Sequence, residues 1–152
     1  MNKLVLSFIL PFIVVLTGCQ SSNHLESNEQ VIITSDVLVA TNWTLAEING
    51  VKAQNDNQDK NIILHAIDNR VTGFAGCNRF FGSFEAEDLI DGLGKLKFHH
   101  IGSTKMACLN VEINEQTYFN ALSDTVFYQL DDNSLTLLNE ALTILAIFNN
   151  NK

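Results

Sequence analysis

Proline is almost missing: the single one in 152 residues is Pro11, so no stiff polyproline spacer lies beyond it. Basic residues are scarce, 9 Lys and Arg against 17 Asp and Glu, for a formal charge of −8. With no basic run to neutralise phosphates, nucleic acid is excluded as a partner. The three cysteines, Cys19, Cys77 and Cys108, are too far apart for a C-x-x-C redox motif. A membrane-spanning run is missing as well. The apolar stretch over residues 4–16 is interrupted by Ser7 and Pro11, and it is shorter than the roughly 20 residues that cross a bilayer. What is present is a chain that is 46% hydrophobic, with 10 Phe. That is rich enough in aromatic and branched side chains to form a core, and its length suits one domain.

The first 18 residues read as an address. Lys3 supplies a short positive region, the apolar run follows, and the run ends in Leu16-Thr17-Gly18-Cys19. Those are the dimensions of a signal-peptide core. The last four residues resemble the bacterial lipobox, in which the cysteine is diacylated and the chain is cut before it. Small residues before the cut fit a peptidase groove, and a cysteine just past the apolar run lies where acyl transfer occurs. The expectation is a lipid anchor on Cys19, each buried methylene contributing about 0.8 kcal/mol to membrane attachment. Gln20, rather than Asp, follows the cysteine, which in the lipoproteins this resembles favours the outer membrane. The periplasmic face is the expected location. Residues 19–36 begin as a polar stretch and read as a tether, within which Val31-Ile32-Ile33 could dock as a strand. Residues 37–150 form the domain.

Within the domain the pattern is one of short strands. Residues 43–48 alternate bulky with small or polar side chains and meet Asn49-Gly50, a strong hairpin signal because both turn positions need positive φ. Residues 61–67 and 70–74 read as strands joined by Asp68-Asn69. Residues 80–85 and 94–99 read as two more, separated by an acidic segment over 85–91 and a turn at Gly92-Leu93-Gly94. One helix is expected within 110–124, opened by Asn110 as cap, with Val111, Tyr118, Phe119 and Leu122 on one face and Glu112 and Glu115 in its early turns. Residues 125–130, 134–138 and 141–148 finish the chain as strands. The fold class expected is α+β and β-rich: a curved antiparallel sheet or open barrel with one packed helix.

Two segments carry a resemblance. Gly73-Phe74-Ala75-Gly76-Cys77-Asn78-Arg79-Phe80-Phe81-Gly82-Ser83-Phe84 is similar to the G-x-x-G-C-N-x-F-x-G-x-[FY] signature of the META (HslJ-like) domain, and Ser103-Thr104-Lys105-Met106-Ala107-Cys108 is similar to its second signature, S-T-x-M-A-C. Trp43 and Leu45 fit the family's start, and the helix and last strands fit its end. The resemblance implies a small β-rich envelope lipoprotein with no established catalytic activity, linked to envelope integrity and to heat or antibiotic tolerance. Its shape has been likened to lipoprotein pilots of secretion pores. The motif positions are Gly73, Gly76, Asn78, Phe80, Gly82, Ser103, Thr104 and Met106.

Read physically, three glycines in ten residues suggest sharp turning or close packing. Phosphate cradling is disfavoured, since neither Gly-Lys-Ser/Thr nor G-x-G-x-x-G is present. Asn78 suits a backbone-satisfying turn role, and Phe74, Phe80, Phe81 and Phe84 suit packing, with a lipid-accessible groove as the alternative. Export would place Cys77 and Cys108 in an oxidising compartment, where an even pair bridges. Adjacent His99 and His100 should point to opposite faces of a strand and so not share a metal, and His65 reads as an ordinary half-buried histidine. Ser83 and Ser103 lack a nucleophile elbow. No metal, no cofactor and no catalytic residue is expected. The envelope module, a pilot-like assembly helper and an apolar-ligand carrier are the function classes that stand.

Overall fold

Trp43, the only tryptophan, fixes where the described fold begins. Its ring is fully buried, and a buried indole N–H needs an acceptor. Helix α1 (Asp36–Val39) supplies one: Trp43 Nε1 donates to the Leu38 carbonyl at 3.0 Å, and Leu38 itself is buried. The computed structural model describes residues 36–39, 41–53, 60–107 and 115–150, all within the unit Val31–Lys152. The expected strand over 31–33, Asn110, Val111 and Glu112 lie outside the described residues.

Among the described residues nine strands follow α1: β1 (Asn42–Ile48), β2 (Val51–Lys52), β3 (Asn61–His65), β4 (Arg70–Phe74), β5 (Arg79–Ile90), β6 (Leu93–Ser103), β7 (Phe127–Leu130), β8 (Ser134–Leu138) and β9 (Ile144–Asn150), with helix α2 (Glu115–Asp124) between β6 and β7. All pairings are antiparallel, and β1 pairs with β3 on one edge and β9 on the other. Eight strands therefore close into a barrel, with β2 extending the β3 edge of β1. The β-rich α+β expectation holds, but the sheet closes fully through the β1–β9 pairing where a curved sheet or open barrel was expected. An eight-stranded ring leaves an interior that side chains can fill. Here Trp43, Phe80, Tyr118, Tyr128, Phe148 and six of the leucines are all less than 2% exposed.

A bulge between Leu45 and Glu47 gives β1 one residue more than β9 over that stretch, which lets Leu45 and Ile48 both face the core. The acidic segment over 85–91, expected as a separator, is strand as far as Ile90, and only Asp91 belongs to the turn. β5 and β6 form one long hairpin around Asp91-Gly92, whose φ values of 49° and 77° are those of a type I′ turn. The acids are accommodated because they face outward across from lysines: Glu85 opposes Lys97, and Glu87 binds Lys95 at 2.9 Å. The Asp-Gly pair was the signal for this turn.

Three glycines sit opposite aromatic rings across strand pairs: Gly73 opposite Phe80, Gly102 opposite Phe81 and Gly94 opposite Tyr128. Each ring lies over the place a Cβ would take, so the pair is a single packed unit that pins register. α2 places Tyr118, Ala121 and Leu122 in the core, as the periodicity of Tyr118 and Leu122 predicts. The Tyr118 hydroxyl donates to the Asn61 carbonyl at 3.0 Å, and its ring meets Phe80, Phe119 and Phe148. The helix thus lies against strands from opposite sides of the ring.

Gly73→Ala should destabilise by about 1–3 kcal/mol, because the new Cβ meets the Asn61 carbonyl and the Phe80 ring. Gly102→Ala should cost less, since the exposed Phe81 ring can give way. Urea unfolding ranks the two. Burial holds the Tyr118 phenol above its ordinary value, and burial, followed by the hydrogen bond its hydroxyl donates to the Asp88 carboxylate, does the same for Tyr128. The unfolded chain then releases these protons first, so stability should be flat up to about pH 10 and fall as pH rises beyond it. The urea midpoint measured against pH should show that break, and Tyr128→Phe should make it shallower.

Candidate functional site

The connection from β4 to β5 is four residues long, and it is here that the two signature segments meet. Gly76 takes φ +106°, a conformation L side chains rarely adopt, and this allows Ala75 N–H to reach the Asn78 carbonyl at 3.0 Å. The turn buries Asn78, only 4% exposed, and aims its side chain at the stretch that follows β6. Asn78 Oδ1 accepts from Thr104 Oγ1 at 2.8 Å and from Met106 N–H at 2.7 Å. Its Nδ2 donates to Glu115 Oε2 at 2.7 Å and to the Met106 carbonyl at 3.4 Å. Asn78 N–H donates to the other Glu115 oxygen. A primary amide has two donor and two acceptor positions, and all four are used.

Each motif residue therefore has a place. Gly73 and Phe80 are a cross-strand unit, and Gly82 faces a bulge, where a Cβ would stand 2.6 Å from Ile101 Cδ1 and 2.8 Å from the His99 carbonyl. Ser103 ends β6 opposite Phe80, and Thr104 N–H continues the ladder to the Arg79 carbonyl at 3.0 Å. Met106 contributes its backbone to Asn78, while its side chain is exposed. Cys77 is buried with Sγ 3.3 Å from the Met106 carbonyl. Cys19 and Cys108 lie outside the described residues. Glu115, read from sequence as a dipole-favoured acid, is the missed member: it is the first residue of α2 and fastens that helix to Asn78. No sequence pattern links positions 37 apart without the fold.

The histidines are arranged differently from expectation. β5 and β6 shift register between Phe81 and Ser83, so that His100 and Ile101 together oppose Gly82, and His100 adopts φ +53°. The bulge breaks strict alternation and brings the His99 and His100 rings to 6.3 Å between centroids. Among the described residues His99 Nε2 is buried with no hydrogen-bond partner, 3.7 Å from Glu85. His65 is half-buried and bonds Thr72 at 2.8 Å. Among the described residues there is no group of three or more His, Cys, Asp or Glu that could hold a metal. Beside the bulge runs a groove of about 400 Å³, with Phe98, His100 and Ile101 on one wall. Gln116, Phe119, Asn120 and Ser123 form the other wall, at the i, i+3, i+4, i+7 spacing of one helix face.

Asn78→Ala should destabilise by about 3 kcal/mol, since it strands Glu115 and Met106 N–H without partners. Asn78→Asp should be worse at pH 7, with one carboxylate set against another, and the gap to the unaltered chain should narrow below about pH 4 as the acids protonate. Paired urea melts at the two pH values check both statements.

Residues 36–152 match the family model described as META domain. Among solved structures the chain is similar to a protein determined by NMR at 27% identity and TM-score 0.55, covering 76% of this chain and 94% of that one. It is similar to a protein from Burkholderia xenovorans, also determined by NMR, at 28% identity and TM-score 0.54, covering 76% and 85%. In fold alone it is similar to a crystal structure of a DUF4847 family protein from Bacteroides vulgatus, at 21% identity and TM-score 0.52, covering 76% and 96%. No curated protein matches. The clasp built by Asn78 from the two signatures and the match over 36–152 lead to one conclusion: the chain belongs to the META domain family.

Proposed function

We propose that this protein is an outer-membrane lipoprotein, held through acylated Cys19 on the periplasmic side, whose META barrel serves as a non-catalytic module in envelope integrity or stress tolerance. The META domain is not a known catalytic family. The observation that carries the anchoring is Leu16-Thr17-Gly18-Cys19 at the end of the apolar run. Separability of anchor and domain is supported by the ring: β1 closes on β9 through residues from Trp43 onward. The filled barrel interior weighs against a carrier that encloses an apolar ligand. The groove beside α2 favours an assembly-helper role as the second reading.

A disulfide between Cys77 and Cys108 belongs to the same reading. It is supported by the Cys77 sulfur lying beside the Met106 carbonyl, two residues before Cys108 in the chain. Closing that loop would contribute about 3–4 kcal/mol on the chain-entropy model.

In a bacterial host the full chain should fractionate with membranes, its N-terminal peptide should carry diacylglycerol on Cys19, and Cys19→Ala should release it from them. Intact-mass analysis of the membrane fraction checks this, and an unmodified Cys19 would overturn the anchor. Denatured but unreduced protein should show no reactive thiol from Cys77 or Cys108, and two labelled thiols would overturn the disulfide.

A further inference from the structure

Strand β5 outruns its neighbour. It pairs with β6 from Phe80 to Ile90, but with β4 only from Arg79 to Ser83, followed by a bond from Phe84 N–H to the Asn69 carbonyl at 2.9 Å. Backbone groups alternate sides along an antiparallel strand. With the Phe84 N–H directed away from β6, the N–H and C=O of Ala86 and Asp88 point the same way. No described strand pairs with them there, and no described helix packs along this stretch. An open strand edge is a template for another strand.

Its surroundings are apolar and acidic. Leu89 and Ile90 follow the edge, Ile67 lies two residues before Asn69 in the β3–β4 turn, and all three are exposed, Ile67 completely. Apolar side chains gathered at unpaired backbone mark an interaction surface, where single scattered ones would not. From Phe80 to Gly92 there is no Lys, Arg or His, while Glu85, Glu87, Asp88 and Asp91 are all present. Glu87 engages Lys95, but the Glu85 side chain is 80% exposed, and Asp91 has no basic partner among the described residues.

We propose that the β5 edge takes an extended, basic segment of a partner protein by strand addition. The segment's backbone pairs with Ala86 and Asp88. Its Lys or Arg side chains, at every second position, share the outer face with Glu85 and Glu87, and an apolar residue covers the Leu89-Ile90 end. Main-chain pairing supplies affinity and the alternate side chains supply selectivity. A second copy adding its own β5 edge in antiparallel fashion would set carboxylates against carboxylates, which is disfavoured. The proposal rests on reading the domain as a binding module and is independent of the lipid anchor.

The test selects a displayed library of random 12-residue peptides on the full chain in mild detergent. It then follows amide exchange by NMR, residue by residue along β5, with and without the winning synthetic peptide. The winners should carry Lys or Arg at every second position. They should slow exchange at Ala86 and Asp88 and change it little at Glu85 and Glu87, whose amides already face β6. Ala86→Pro removes the outward N–H without taking a ladder bond from the free chain, and should weaken the winners roughly tenfold or more. Glu85→Lys, at an exposed position, should do the same and serves if the proline disturbs the fold. Cys19→Ala should bind the winners as well as the unaltered chain does, so failure of the anchor would not be read as failure here. Any of these results would overturn the proposal: no enriched peptide, winners without bases, unchanged exchange at Ala86 and Asp88, or undiminished binding by Glu85→Lys. So would slow exchange at those two amides in the free chain, or a concentration-dependent dimer that protects them.

Discussion

One carboxamide holds the two signature segments and the long helix in register. Asn78 is bonded at every position its side chain offers, to Thr104, to both backbone groups of Met106 and to Glu115. Aspartate would lose both donors, leucine everything, and glutamine would carry the amide one methylene too far. Buried polar groups are satisfied or costly, so the β4–β5 connection, the exit from β6 and the start of α2 stand or fall together. This explains why the second signature works largely through backbone atoms: Met106 presents its N–H and C=O to the amide, while its side chain stays in solvent.

The clasp determines what the barrel can be. Because Glu115 is tied to Asn78, α2 starts beside the far end of β6, and its C-terminal end is brought toward Thr125 and β7, with Thr125 Oγ1 closing onto the Ala121 carbonyl at 2.7 Å. The helix thereby occupies the line along which β7 would otherwise have continued beside β6. Tyr118 and Leu122 turn into the core from that position, and the opposite helix face is left to form a wall of the groove. Among the described residues, the lack of a paired strand along Phe98 and the presence of a helix beside it are one feature.

Much of the fold was legible. Alternation located most strands, Asn49-Gly50 marked its turn, and Tyr118 with Leu122 marked the helix face that is buried. The acidic stretch from Glu85 to Ile90 is not legible as strand because outward carboxylates resemble a solvated loop until the lysines opposite them are known, and only the pairing reveals those. The one-residue surplus in β1 and the His100 bulge were illegible for a related reason: bulges are decided by the partner strand. Of the site, Gly73, Asn78 and Thr104 could be named but not connected. Glu115 sits 37 residues from Asn78, and nothing local in either segment announces the other.

The ring closes between its first strand and its last: Trp43 lies opposite Asn150, and Leu45 opposite Phe148. The contact that completes the barrel therefore spans nearly the whole domain, the most expensive kind of loop to close. A chain appearing from its N-terminus can form the β3–β4 and β5–β6 hairpins early, since their partners are close in sequence. It cannot seal the ring until Phe148 has emerged. Until then the β9-facing edge of β1 stays open, and the barrel becomes a finished object in one late step, when the last seven-residue strand arrives.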